Sequence, residues 1–178
     1  MIFATVGTQL PFDRLLLGLE SWAERNPGIP VFAQTGSTRQ RFPRIETVET
    51  LGQAEFRARF DAARFVVAHA GMGTILSAAE IGKPLILMPR RAKFGEHRND
   101  HQQDTAREMA GLSNVTVVED DEALHAALDL AVARGFETPR LGRAQGGASL
   151  DPLIDVIRAF VWDTAAPAEA LTQQKDAA

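Results

Sequence analysis

The stretch that decides the fold is VVAHAGMGTILSAAEIGKPLILMPR, residues 66–90. It starts with β-branched residues typical of a buried strand, breaks at Gly71 and Gly73, and continues with apolar residues at helical spacing. A second apolar run at 84–89 predicts another buried strand. A strand, a glycine turn, a helix and a further strand in this order predict one β-α-β unit of a parallel sheet.

The remainder of the chain repeats this alternation of strands and helices. Strands are predicted at 2–6, 31–35, 45–49, 64–69, 84–89 and 115–118, and helices at 11–26, 53–63, 73–82, 99–112, 120–135 and 151–162. Several strands are apolar throughout, which predicts an α/β fold with a Rossmann-like, doubly wound parallel sheet covered on both faces. Residues 1–162 are assigned to one domain, and residues 163–178 to a disordered tail.

Composition and charge exclude several classes of protein. A chain of 178 residues without cysteine has neither a disulfide framework nor a thiolate metal site, and its net charge of −4 gives no reason to expect a nucleic-acid partner. The first residues lack the basic segment of a signal peptide, and no apolar run approaches the ~20 residues of a membrane span. These features predict a cytoplasmic protein that does not cross the membrane.

The glycine turn at 69–74 is a candidate anion site. A helix that begins after a strand and two glycines presents free backbone N–H groups and the positive end of its dipole at one point. Gly71 and Gly73 remove the Cβ atoms that would hold a phosphate away, and Thr74 offers a hydroxyl and a possible helix cap. The alternative is a tight turn in which the glycines serve only steric needs.

Two familiar phosphate motifs do not fit the sequence. Leu76 stands where the third glycine of a G-x-G-x-x-G dinucleotide site belongs, and Pro84 follows Lys83 where a P-loop needs Ser or Thr. A nucleotide diphosphate bound without either fingerprint is the remaining phosphate hypothesis.

A polar loop at 90–102 follows the predicted strand at 84–89. Its carboxylate and amide side chains suit sugar hydroxyls, or alternatively form a solvated helix entry with Asn99 or Asp100 as cap. Positive charge for a phosphate or an anionic lipid head group could come from Arg90, Arg91, Lys93 and Arg98, with an ordinary solvated loop as the alternative. His97 and His101 are four residues apart, but no third ligand completes a metal site, and the acidic run at 119–122 is interpreted as helix capping.

Three motifs in order, VGTQLPFDRL, HAGMGTILSAAEIGKPLILMPR and GEHRNDHQ, resemble glycosyltransferase family 28 C-terminal domains. The chain is most similar to the short, stand-alone kind, which forms the catalytic subunit of two-piece enzymes. These include the N-acetylglucosaminyltransferase acting on dolichol-diphosphate sugar and bacterial exopolysaccharide glycosyltransferases. The resemblance implies one half of a GT-B fold, the half that holds the UDP-sugar donor, and an inverting transfer that needs no metal or cofactor.

The resemblance also implies the site. The diphosphate turn maps onto His69, Ala70, Gly71, Gly73 and Thr74, the sugar-contacting element onto Asp100, His101 and Gln102, and the first loop of the cleft onto Gly7 and Thr8. We add Arg90 and Glu96 as candidate donor contacts. Many relatives carry an acidic, ribose-binding residue where this chain has Ser77, with Glu80 one turn further on. Ser77 is therefore a candidate for a weaker contact with the ribose, and the alternative is that the ribose is held differently. No residue is an evident general base.

The length of the chain leaves room for one Rossmann-like half only. We therefore expect a membrane-anchored partner subunit that binds a polyprenyl-diphosphate-linked glycan and recruits this chain to the inner face of the cytoplasmic membrane. Candidates for an apolar contact patch are Leu10, Phe12, Phe42 and Phe94, with ordinary burial as the alternative. Two other functions stay open: a non-catalytic nucleotide-sugar-binding regulatory module, and an unrelated flavodoxin-like or NAD-binding domain.

Overall fold

A sheet of short parallel strands forms the core of the described part of the chain. The computed structural model describes residues 1–134. In chain order the elements are β1 (Ile2–Thr5), α1 (Asp13–Arg25), β2 (Val31–Gln34), β3 (Glu46–Val48), α2 (Gln53–Ala62), β4 (Phe65–His69), α3 (Met72–Ile81), β5 (Leu85–Met88), a 3-10 turn (Ala92–Phe94), α4 (His101–Met109), β6 (Val115–Val117) and α5 (Asp121–Ala133). The predicted helix at 151–162, the predicted tail at 163–178 and the end of the helix predicted to reach residue 135 lie outside the described residues.

The sheet has the strand order β3-β2-β1-β4-β5-β6. The chain moves from β1 to one side and later returns to place β4 on the other side of β1, so that Ile2 pairs with Val31 on one flank and with Phe65 on the other. Parallel crossovers are right-handed, so this reversal puts helices on both faces and sends the loops after the neighbouring strands β1 and β4 toward opposite faces of the sheet. Such a switch point leaves a crevice at the carboxyl edge of the strands.

One face of the sheet is covered by α1 and α5. Alternate residues of β1, such as Ile2 and Ala4, pack with Leu16 and Trp22 of α1 and with Leu124 of α5 in a continuous buried cluster. Full burial of a Leu or Phe side chain contributes about 1.5–3 kcal/mol, so this cluster is a main source of stability. It anchors the start of α1 close to the carboxyl edge.

The opposite face carries an aromatic cluster under α2. The ring of Phe3 lies 5.3 Å from that of Phe56 and 6.4 Å from that of Phe60, in edge-on contacts. Phe3 also stacks on Phe32 of β2, and the guanidinium of Arg59 covers that ring at 3.9 Å. Because Phe3 faces away from the Ile2 and Ala4 side, both faces of β1 are buried, which confirms the doubly wound sheet expected from its apolar sequence.

Every strand and helix predicted within residues 1–134 is present, with shifted helix starts. Helix α3 begins at Met72 because Gly71 takes the extended N-cap conformation, so the expectation that Thr74 caps this helix is wrong. Helix α4 begins at His101 rather than at 99. Asp120 caps α5 as expected, since its carboxylate accepts from the N–H of Ala123.

The four apolar loop residues considered for a contact patch have different environments. Phe12 and Phe42 are buried in the core cluster, which confirms the burial alternative for them. Leu10 is partly buried, and Phe94 is 55% exposed. A patch made of all four side chains is therefore excluded.

Candidate functional site

A cleft of about 310 Å³ lies at the carboxyl edge of the sheet, between the loop after β1 and the segment after β5. Six of the predicted site residues line it: Gly7, Thr8, His69, Arg90, His101 and Gln102. They come from three loops that are far apart in sequence, and the switch point between β1 and β4 brings them together.

The amino-terminal turn of α3 presents backbone donors. Gly71 is the N-cap, and no side chain caps the helix. The N–H groups of Met72, Gly73 and Thr74 have no acceptor one turn earlier within the helix, as in any first turn. A Cβ built on Gly73 meets no atom within 4 Å, so packing within the described residues does not require glycine there. Ala70 and Thr74 are buried beneath this turn.

His69, the last residue of β4, lies between two glycines. A Cβ on Gly7 would lie 2.9 Å from Cε1 of His69, and one on Gly71 would lie 2.3 Å from its Nε2. Gly7 also has φ +75°, a conformation that L side chains rarely adopt. The imidazole therefore occupies the space where a side chain at Gly7 or at Gly71 would lie. The loops after β1 and β4 approach each other on either side of this ring.

The surroundings of His69 keep its ring neutral. Burial, supported by the nearby charge of Arg90, lowers the pKa of His69 to about 4. Its Nδ1 is buried without a hydrogen-bond partner in the described residues. A neutral imidazole both donates and accepts a hydrogen bond, so it suits a polar ligand group rather than serving as a fixed cation at neutral pH.

Arg90 lies two residues after the end of β5 and is 3% exposed. Its guanidinium donates to the carbonyl oxygens of Val6 (2.7 Å), Leu10 (2.7 Å) and Pro11 (2.6 Å), and to that of Glu96 (3.2 Å). Burial lowers the pKa of Arg90 to about 10, so the group still carries its charge at neutral pH. Its contacts are with the protein backbone, and its predicted contact with the donor stays a prediction.

Glu96 is buried and bound to Arg14 of α1. Its two carboxylate oxygens accept from Nε of Arg14 at 2.8 Å and from a terminal nitrogen of the same guanidinium at 2.9 Å. One of them also accepts from the N–H of Arg91. This geometry favours a structural role for Glu96, whereas the sequence suggested a sugar contact, which stays untested.

The sugar-contacting element predicted from the resemblance forms the start of α4. Gln102 is buried, and its amide oxygen accepts from the N–H of Arg90 at 3.1 Å. The carboxylate of Asp100 accepts from the N–H of Ala92 at 2.8 Å, which lowers the pKa of Asp100. His101 is exposed, its ring lies 4.5 Å from that of His97, and it contacts the side chain of Asn99.

Ser77 and Glu80 lie further along α3 and do not line the cleft. The hydroxyl of Ser77 donates to the carbonyl of Gly73 at 3.0 Å, whereas Glu80 pairs with Arg57 at 3.6 Å on an exposed surface. Within residues 1–134, no three His, Cys, Asp or Glu side chains come together as a metal site.

Arg14 is the residue that sequence reasoning missed. The side chain donates to the carboxylate of Glu96 and to the carbonyl oxygens of Pro89 and Glu119. These partners are 75 to 105 positions away in the chain. No local pattern marks such a residue, because its role depends on which strands are neighbours.

A model of the glycosyltransferase family 28 C-terminal domain matches residues 1–139. The chain belongs to this family. The match, together with the parallel sheet and the turn at 69–74, confirms a glycosyltransferase domain with the Rossmann-like fold of one GT-B half. No curated protein sequence matches the chain significantly.

Solved glycosyltransferase structures share this fold. The MurG of Acinetobacter baumannii superposes with a TM-score of 0.57 at 17% identity, over 88% of this chain and 49% of MurG. ALG13 gives 0.55 at 17% identity, over 79% of this chain and 89% of ALG13. CalG4, the calicheamicin glycosyltransferase, gives 0.53 at 17% identity, over 93% of this chain and 44% of CalG4.

The chain thus spans about half the length of MurG and CalG4, and most of ALG13. At these identities the likeness supports the fold and not the substrates. In the described part of the chain, none of the helices is both long and apolar enough to cross a bilayer.

Proposed function

We propose that the chain is the donor-binding catalytic subunit of a two-part, inverting glycosyltransferase. The donor is a UDP-sugar, and the acceptor is a glycan carried on a polyprenyl diphosphate, as in the synthesis of an exopolysaccharide. The family supports sugar transfer as the reaction class. The UDP-sugar donor and the polyprenyl-diphosphate-linked acceptor are the finer parts of the proposal, and titration and co-expression experiments test them.

The observation that carries the proposal is the open first turn of α3. The backbone N–H groups of Met72, Gly73 and Thr74 have no acceptor within the helix. A Cβ on Gly73 would meet no atom within 4 Å, so the space beside this backbone is open. Hydrogen bonds to a charged group contribute about 1.5–3 kcal/mol each, and the helix dipole adds about 0.3–1 kcal/mol. A diphosphate matches this arrangement because it offers several anionic oxygens to adjacent donors.

The adjoining cleft supports a sugar next to the diphosphate. The amide of Gln102 and the neutral imidazole of His69 line it, and groups that donate and accept hydrogen bonds suit hydroxyls. Thr8, on the loop after β1, adds an exposed hydroxyl to the opposite wall. The donor would then lie across the switch point, its sugar in the cleft and its diphosphate at α3.

The reaction would proceed by direct displacement. The acceptor hydroxyl oxygen bonds to the anomeric carbon while the bond from that carbon to the diphosphate oxygen breaks, which inverts the configuration. The acceptor proton passes to a general base, which we expect on the acceptor-binding half. Negative charge develops on the departing UDP, where the α3 N–H groups stabilise it, so no metal ion is required.

The partner is proposed from the extent of the fold. MurG and CalG4 are about twice as long as the part that this chain matches. We infer that a second, membrane-anchored polypeptide supplies the acceptor-binding half and holds this chain at the cytoplasmic face of the membrane. The cleft edge, where the loops after β1 and β5 meet, is the side that this partner would face.

Calorimetric titration of the full chain with UDP, with uridine as the reference, tests donor binding. UDP is expected to bind at least ten times more tightly than uridine, and addition of EDTA should leave both affinities unchanged. Co-expression with a membrane-anchored half-glycosyltransferase should then give transfer from a UDP-sugar to a polyprenyl-diphosphate sugar. UDP binding without turnover beside an active partner would indicate a regulatory module, and absence of UDP binding would exclude the proposal.

A further inference from the structure

Arg90 has a bonding pattern that distinguishes it from a phosphate-binding arginine. A guanidinium has five N–H donors, and two terminal nitrogens of Arg90 already make four hydrogen bonds to carbonyl oxygens. Phe12 covers the guanidinium plane at 4.7 Å. An anion would have to displace a carbonyl partner from a side chain that is 3% exposed.

Three of these carbonyls belong to the loop between β1 and α1. Apart from the bonds to Arg90, residues Gly7–Pro11 make one hydrogen bond in the described structure, from the N–H of Gly7 to Oγ1 of Thr5 at 3.3 Å. This loop forms one wall of the cleft. The bonds to Arg90 are therefore the main polar interactions that fix its path.

The fourth carbonyl is that of Glu96, the residue before His97, which lines the cleft on the side of the segment after β5. The carboxylate of the same residue is held by Arg14, and the N–H of Arg90 is held by Gln102. The guanidinium thus joins the segment after β5 to the loop after β1, at sequence separations of 79 to 84 residues. Its removal would release one wall while the other stays anchored.

We propose that Arg90 is a positioning residue, which fixes the β1–α1 loop as a wall of the cleft and does not itself contact the ligand. Through this loop it sets where Gly7 and Thr8 face the donor. The proposal rests on the proposed function for its ligand, UDP, but the order of the loop can be measured without any ligand.

The experiment compares three variants with a matched control. Arg90→Gln removes the charge and most donors, Arg90→Lys keeps the charge but not the planar fork, and Phe12→Leu removes the stacked ring while leaving the guanidinium. Lys83→Met is the control, since Lys83 also donates to two backbone carbonyls, those of Asp61 and Ala63, before β5 begins. The backbone ¹⁵N relaxation order parameters of residues 7–10, which report the rigidity of the loop, and the affinity for UDP are measured on the full chain.

Both Arg90 variants are expected to lower the backbone order parameters of residues 7–10 from about 0.85 to below about 0.6 and to weaken UDP binding about tenfold, with Lys no better than Gln. Phe12→Leu should show a smaller effect in the same direction, and it carries the test if Arg90→Gln fails to fold. Lys83→Met should change neither readout, although it lowers overall stability.

Two results would overturn the proposal. If Arg90→Lys binds UDP as the wild type does while Arg90→Gln does not, the charge contacts the phosphate directly. If the order parameters of residues 7–10 are unchanged in both Arg90 variants, the guanidinium does not hold the loop. Failure of the wild type to bind UDP would instead remove the proposed function, and the order parameters of the loop would still decide the role of Arg90.

Discussion

The imidazole of His69 and the backbone of Gly71 are packed so closely that no side chain fits between them. A Cβ on Gly71 would lie 2.3 Å from Nε2 of His69 and 2.8 Å from its Cε1. A Cβ on Gly73, two residues further along, would meet no atom within 4 Å. The two glycines of the turn therefore serve different purposes, although the sequence presents them as equivalent members of one motif.

Substitution of the two glycines by alanine separates these purposes. Gly71→Ala should lower the free energy of unfolding by about 1–3 kcal/mol, because the ring of His69 must move. Gly73→Ala should leave it unchanged or raise it by up to about 1 kcal/mol, because alanine favours a helix. Urea denaturation measures both.

UDP titration of the Gly73→Ala variant completes the comparison. A loss of affinity of tenfold or more, at unchanged stability, is expected if a diphosphate approaches this backbone. Full affinity in the variant would contradict the placement of the diphosphate at α3.

Stability should depend on pH through His69. Its pKa is about 4 in the folded protein and about 6.5 in the unfolded chain, so the unfolded chain takes up the proton first as the pH falls. The free energy of unfolding should therefore be constant above pH 6.5 and fall between pH 6.5 and 4, by up to on the order of 3 kcal/mol from this residue. Denaturation curves at several pH values measure the slope.

A His69→Gln variant is expected to flatten this slope, and His101→Gln, at an exposed position, should leave it unchanged. A His69→Gln protein with the wild-type slope would show that another group carries the pH dependence.

Substitution of Glu96 distinguishes a structural role, in which it binds Arg14, from a contact with the donor sugar. If its carboxylate serves mainly to hold Arg14, Glu96→Gln should lower the free energy of unfolding by about 1–3 kcal/mol, since a partly buried charge loses its partner. Asp104→Asn, which breaks the exposed pair with Arg107, should cost at most about 0.5 kcal/mol. Unchanged stability of Glu96→Gln with weaker binding of a UDP-sugar than of UDP would instead support the sugar contact.

Substitutions at Ser77 test how the ribose is bound, because many relatives carry an acidic residue at this position. Its hydroxyl bonds to the carbonyl of Gly73, so Ser77→Ala should change UDP affinity less than twofold. Ser77→Glu places a carboxylate where many relatives have their ribose contact, and it should raise affinity for UDP over dUDP several-fold. Equal affinities of the Glu and Ala variants for UDP would show that the ribose lies elsewhere.

The sequence by itself determined the order and type of the elements within residues 1–134. Strands and helices have different periods of apolar residues, and glycine and proline interrupt them, so this information is local. The sequence also located the turn at 69–74, because a strand, two glycines and an apolar helix follow one another directly. The family followed from three such local motifs in order.

Only the tertiary structure decided which residues meet. Arg90 reaches carbonyl oxygens 79 to 84 residues away, Arg14 pairs with Glu96 82 positions later, and His69 fills the space beside Gly7. Each contact exists because β1 lies between β2 and β4 and thereby brings the loops after β1, β4 and β5 to one edge. Local periodicity is the same for any order of parallel strands, so it holds no information about that arrangement.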